Sequence, residues 1–161
     1  MTRFRVLLSH TSALVIAPLL LVHPAVADEA GLITKASKYG AKETILRFED
    51  AVGSRSWIVF SEIDHAGAAK QVGLEMKTRT VILFGNPRIG TGPMQKKATL
   101  AIDNPPKALV WEDDEGKVWV TYNSAQYIGD RIYSRHQLPM PTDAIKTIES
   151  FLSEVSDQAT Q

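Results

Sequence analysis

The sequence predicts an α+β domain in which an antiparallel sheet carries helices on one face. Three observations point there. Two apolar stripes at helical spacing, over 41–52 and 142–155, stand near the two ends of the chain that follows an N-terminal leader. Between them lie several short β-rich runs. The last two of these, 107–112 and 117–122, are joined by Asp113-Asp114-Glu115-Gly116, a four-residue turn with glycine placed for a positive φ. Strands joined by a hairpin lie antiparallel, and a strand, a helix, several strands and a last helix in that order build a two-layer domain.

Each element has its own signal. Residues 31–37 form a short first strand. Gly40 opens a helix over 41–52, whose Ala41, Ile45, Phe48 and Val52 share one face, and Gly53 stands where a left-handed closing glycine would end it. Trp57-Ile58-Val59-Phe60 begins a strand that continues to Ile63. Asp64 then caps a short helix over 65–72, closed by Gly73. The run 79–84 ends in four apolar residues, the pattern of a central strand buried on both faces. Gly85-Asn86-Pro87-Arg88-Ile89-Gly90-Thr91-Gly92 reads as a glycine-rich loop, in which Thr91 caps a following turn and Pro93 is tolerated in its first residues. Ser124 caps a short helix to about Asp130. Ile145, Ile148, Leu152 and Val155, broadened by Phe151, form the stripe of the last helix, and 156–161 reads as a frayed tail.

The whole chain has 161 residues, a length suited to one domain, with 44% hydrophobic and 22% charged residues. No cysteine means no disulfide, no thiolate metal site and no cysteine nucleophile. The formal charge of zero gives no basic field for nucleic acid. Arg3 and Arg5, an apolar run over 13–22 broken by Pro18, and Ala25-Val26-Ala27 before Asp28-Glu29 make a secretory signal peptide cleaved after Ala27. The apolar run is too short for a span of about 20 residues. The expectation is an exported, periplasmic domain over 28–155 with no membrane span after cleavage. Cleavage removes two basic residues and no acidic one, which leaves a net charge of −2.

Several motifs then occur in order. They are Ile63-Asp64-His65-Ala66, Val72-Gly73-Leu74-Glu75, Phe84-Gly85-Asn86-Pro87 with Gly90-Thr91 and Met94, and Ile102-Asp103. Lys107-Ala108-Leu109-Val110-Trp111-Glu112-Asp113, Gly116-Lys117-Val118-Trp119 and Tyr122-Asn123 complete the series. With these the chain, from about Gly31 to about Val155, resembles the bacterial domain-of-unknown-function family numbered 302. The resemblance implies a TATA-binding-protein-like β-α-β4-α fold and a homodimer, and it implies no established activity. Where that family usually has Asp-Leu-Pro-Leu-Lys, this chain has Asp103-Asn104-Pro105-Pro106-Lys107. The family's Arg-His pair before the last helix aligns with Arg135-His136, across a small insertion.

Five residues are candidates for a ligand site: His65, Asn86, Thr91, Asp103 and Lys107. His65 in the first turn of a helix feels the positive end of the dipole, which favours the neutral ring. A neutral imidazole can ligate a metal or haem iron or accept a proton; the plainer reading is a hydrogen bond to a neighbouring loop below the Asp64 cap. The glycine-rich segment can offer backbone N–H groups to an anion, but it is neither a Walker loop nor GxGxxG. Asp103 and Lys107 flank a stiff Pro-Pro element, where a plain salt bridge is the competing reading. Met94 and the three tryptophans are packing residues, the latter in the core or at a dimer face. After cleavage His65 and His136 are the only histidines, and both are candidate metal ligands. The cofactor, if any, is unspecified. Three functions stay open: a dimeric small-ligand-binding or accessory domain, a metal or haem protein using His65, and an enzyme with His65 as acid or base and Lys107 as electrophilic stabiliser.

Overall fold

The computed structural model describes residues 31–161. The leader and its cleavage site lie outside the described residues. Five strands form one antiparallel sheet in the order β1-β5-β4-β3-β2. They are β1 (Leu32–Ala36), β2 (Ile58–Asp64), β3 (Arg79–Gly85), β4 (Lys107–Glu112) and β5 (Val118–Asn123). The long helices α1 (Ala41–Ser54) and α5 (Thr142–Thr160) pack on one face, which is the two-layer α+β arrangement the sequence predicts. Shorter helices are α2 (His65–Gln71), α3 (Pro87–Lys96) and α4 (Ala125–Tyr127). A 3-10 turn covers Ala98–Ile102, and α4 runs on into a π-helical segment, Ile128–Tyr133.

Alternation along the strands sets which side chains face the helices. Thr80, Ile82 and Phe84 on β3, Ala108 and Val110 on β4, and Val118, Val120 and Tyr122 on β5 are all buried. Phe48 and Val52 of α1 meet Phe151, Leu152 and Val155 of α5 above them, and Phe48 lies edge-on to Phe84 at 5.3 Å. A buried side chain of this kind is worth about 1.5–3 kcal/mol, which holds α1 in place more firmly than its own propensity does.

The hairpin turn is as expected: Gly116 has φ +82°, and Asp113 Oδ1 accepts from the Lys117 N–H at 2.8 Å. Its other oxygen accepts from the Trp119 indole at 2.7 Å. That bond, chiefly, holds the Asp113 carboxyl below its ordinary value. Asp64 caps α2 by accepting from the Gly67 N–H at 2.9 Å.

Four local expectations are corrected. Gly53 does not close α1: the helix continues through it, and Ser56, at φ 60°, takes the left-handed position. The apolar run of β3 is buried on one face alone. Val81 and Leu83, which face away from the helices, are half-buried on the open side of the sheet. The glycine-rich segment is no loop but helix α3. Asn86 is its N-cap, accepting from the Arg88 N–H at 2.9 Å, and Pro87 occupies the first turn, where its missing N–H costs nothing. Thr91 therefore sits inside a helix, exposed, and caps nothing. Finally, 156–161 is no tail. The last helix runs to Thr160, and Ser156, Ala159 and Thr160 are buried. The Thr160 carbonyl accepts from the Lys38 N–H at 3.0 Å, Tyr39 Oη donates to the Gln161 carbonyl at 2.8 Å, and Lys35 pairs with Asp157 at 2.8 Å.

Candidate functional site

One end of the sheet is less tightly filled than the rest. Here β3 runs out at Gly85 into α3, and the chain returns through the 3-10 turn and Asn104-Pro105-Pro106 to start β4. The returning loop is held against β3 by the Phe84 N–H, which donates to the Pro106 carbonyl at 3.1 Å. Asp103 and Asn104 both donate backbone N–H groups to the Leu100 carbonyl, each at 3.1 Å. The π-helical segment and α5 close over the same corner. Between these pieces lies a cavity of about 300 Å³. Its walls are mainly apolar, with Trp57, Phe60, Met94, Ile132, Met140 and Ile148 among them. Trp57 is fixed by stacking on Phe151, ring centres 3.7 Å apart. The polar part of the wall consists of Asn86, Asp103, Asn104, Lys107, Asn123 and Tyr133.

Asp103 is the most elaborately held of these. His136, 7% exposed, contacts Asp103 Oδ2 through Nε2 at 2.6 Å and Thr99 Oγ1 through Nδ1 at 2.9 Å. Arg135, exposed, reaches Asp103 Oδ1 at 3.5 Å. A ring bonded at both nitrogens is fixed in orientation, so Thr99, His136 and Asp103 tie the 3-10 turn to the end of the π-helical segment. Next to them Tyr133 hydrogen-bonds Asn104. Burial pushes the Tyr133 hydroxyl above its ordinary pKa, and that bond pulls the other way. The expected Asp103–Lys107 pair is not formed, because Asp103 is taken by Arg135 and His136 instead.

Of the five candidate ligand residues, Asn86, Asp103 and Lys107 come together on the cavity wall, and Met94 joins them. Lys107 is the outer member. Ala108 beside it turns into the core, so by alternation the Lys107 side chain leaves from the open face. Thr91 and His65 are not on that wall. The register explains His65: β2 starts at Ile58 opposite Gly85, at the cavity end, and finishes at Asp64 opposite Thr80. His65 follows Asp64, so roughly 20 Å of strand separates it from the cavity end. It is exposed there, beside a shallow groove between α2 and residues 74–77. Among the described residues no three His, Asp or Glu side chains gather as a metal site would need. The sequence reading missed Thr99 and Tyr133, for neither stands in a recognisable pattern. The Arg135-His136 pair was visible only through the family resemblance.

The matched family model spans residues 33–155 and is described as domain of unknown function DUF302. The chain belongs to this family. The crystal structure of an uncharacterized conserved DUF302 protein from Bacillus stearothermophilus superimposes with a TM-score of 0.66 at 16% identity, over 80% of this chain and 98% of that one. That likeness establishes the shared fold. The chain is also 38% identical over 132 residues to proteins named fluoride-specific ion channel FluC 1 in Brucella suis biovar 1 and in Brucella abortus biovar 1. The match takes in 81% of this chain and 50% or 47% of those proteins, so the chain spans about half the length of these curated relatives. An ion channel needs membrane-spanning segments. Among the described residues of this DUF302 chain, no helix is long and apolar enough to cross a membrane.

Proposed function

We propose that this DUF302 chain is an exported, dimeric domain that binds a small ligand in the cavity between α3 and α5. One observation carries the reading: a mainly apolar hollow of about 300 Å³ with a carboxylate on its wall, held by His136 and Arg135, with His136 in turn fixed by Thr99. Pockets of this kind, apolar with a few fixed polar groups, are where small molecules bind. Asn86 and Asp103 are the ligand-contacting residues in this reading, with Lys107 on the rim. A metal or haem bound through His65, or acid–base chemistry there, has less support, since His65 follows the far end of β2 and, among the described residues, no three His, Asp or Glu side chains gather around a common point. Dimerisation is supported by the apolar residues Ile58, Phe60 and Ile63, exposed along the edge strand β2. The test is native mass spectrometry of protein purified from its own host, alongside thermal melting of wild type and Ile132→Trp, which fills the hollow. An adduct lost in Ile132→Trp is expected. An apo mass, with no melting response to any small-molecule panel, overturns the reading.

The Brucella proteins favour a second reading, in which the domain is the extramembrane accessory of a fluoride channel. Fluoride titration followed by ¹⁹F line width tests it directly. Unchanged lines at millimolar protein would remove fluoride as a ligand of this domain.

A further inference from the structure

We infer that the ligand taken by this cavity is a neutral, hydrophobic molecule whose head group at Asn86 and Asp103 is a hydroxyl. The inference rests on the binding reading above and narrows its chemistry. The walls set the body of the ligand: Phe60, Met94, Ile132 and Ile148 carry no strong hydrogen-bonding group, and Trp57 carries only its indole N–H. The volume is that of roughly ten waters, enough for a substituted aromatic ring or a short branched chain.

The head group follows from what Asn86 and Asp103 have left to give. Asn86 Oδ1 is engaged by the Arg88 N–H, so its amide NH₂ remains as a donor. Asp103 is an acceptor, and the contact of its Oδ1 with exposed Arg135 is long, at 3.5 Å, so Oδ1 keeps accepting capacity. The smallest neutral group that both accepts from an amide and donates to a carboxylate is a hydroxyl. An anionic head would meet the Asp103 carboxylate. A cationic head would find that carboxylate already balanced by Arg135, and it would lose its hydration to an apolar wall. Lys107 lies on the rim and is exposed, so its ammonium is hydrated and screened by water rather than set into the hollow.

A matched set of probes reads the head group without any variant: 4-ethylphenol, 4-ethylbenzoate, 4-ethylbenzylamine and ethylbenzene, each titrated into the wild-type protein by calorimetry and by shift of the melting temperature. The phenol is expected to bind at least tenfold more tightly than the other three. Asp103→Asn, which keeps the shape and removes the charge, is expected to weaken the phenol about tenfold and leave ethylbenzene unchanged. Tighter binding of the benzoate, the amine or ethylbenzene overturns this inference and leaves the cavity reading standing. Saturable binding of none of the four overturns both.

Discussion

His136 shows how much one side chain can hold. It is buried, uses both ring nitrogens, and links two segments distant in sequence through Thr99 and Asp103. Replacing it with alanine leaves part-buried Asp103 without its shortest partner. The expected cost is about 1–3 kcal/mol in urea unfolding, whereas His65→Ala, at an exposed position, should stay within about 0.5 kcal/mol. Equal effects would mean that the clasp contributes nothing. A second residue-scale prediction concerns Glu49 on α1. Desolvation first, then a hydrogen bond and repulsion from Glu62, push its carboxyl up to about 7 from an ordinary 4.5. Between those values the folded protein binds a proton that the unfolded chain does not. Stability should therefore fall as pH rises from about 4.5 to about 7. Glu49→Gln should flatten that slope, and urea midpoints at a series of pH values would read it. An unchanged slope would assign the pH dependence elsewhere.

Among the elements, α3 separates local propensity from context. Two glycines and an internal proline in ten residues are a poor helix by composition. What forms it is the pairing of the Asn86 cap with Pro87 at the start, together with Met94 packing onto the core. Asn86→Ala should cost about 1 kcal/mol, and Thr91→Ala should be within about 0.5 kcal/mol. The reverse order would restore Thr91 as the capping residue. The end of α5 is a similar case. A sequence without a strong apolar stripe after Val155 looks like fraying, yet small residues there fit under the first strand and α1. Truncation after Val155 removes buried Ser156, Ala159 and Thr160 together with the Lys35–Asp157 pair. The melting temperature should drop by many degrees, where loss of a true tail would leave it unmoved.

At the scale of the whole molecule, the long helices of the described residues cover one side of the sheet. The open side carries Trp111 and Trp119 stacked with ring centres 6.0 Å apart, Arg79 over the first at 5.5 Å and Lys117 over the second at 4.3 Å. Both indole N–H groups are satisfied, by Thr121 Oγ1 and Asp113 Oδ2. That face is therefore partly screened from water by its own side chains, and β2 is the less guarded part, with Ile58, Phe60 and Ile63 exposed. If the chain dimerises through β2, Phe60→Lys should give a monomer by sedimentation with its fold intact. A dimer that survives Phe60→Lys would move the interface to another surface.

Periodicity, turn chemistry and capping are local properties, so the sequence alone determined the α+β class, the hairpin at Gly116, the Asp64 cap and the strands that follow one another. It also determined, through its ordered motifs, the family. Distance between residues far apart in the chain is not a local property. Only the tertiary structure decided that Asp103 meets His136 rather than Lys107, that β2 carries His65 away from the cavity, and that the last residues are buried. The physical reason is the same each time: a side chain's partner is set by which strand and which helix the register brings beside it, and register is fixed by the packing of the whole sheet.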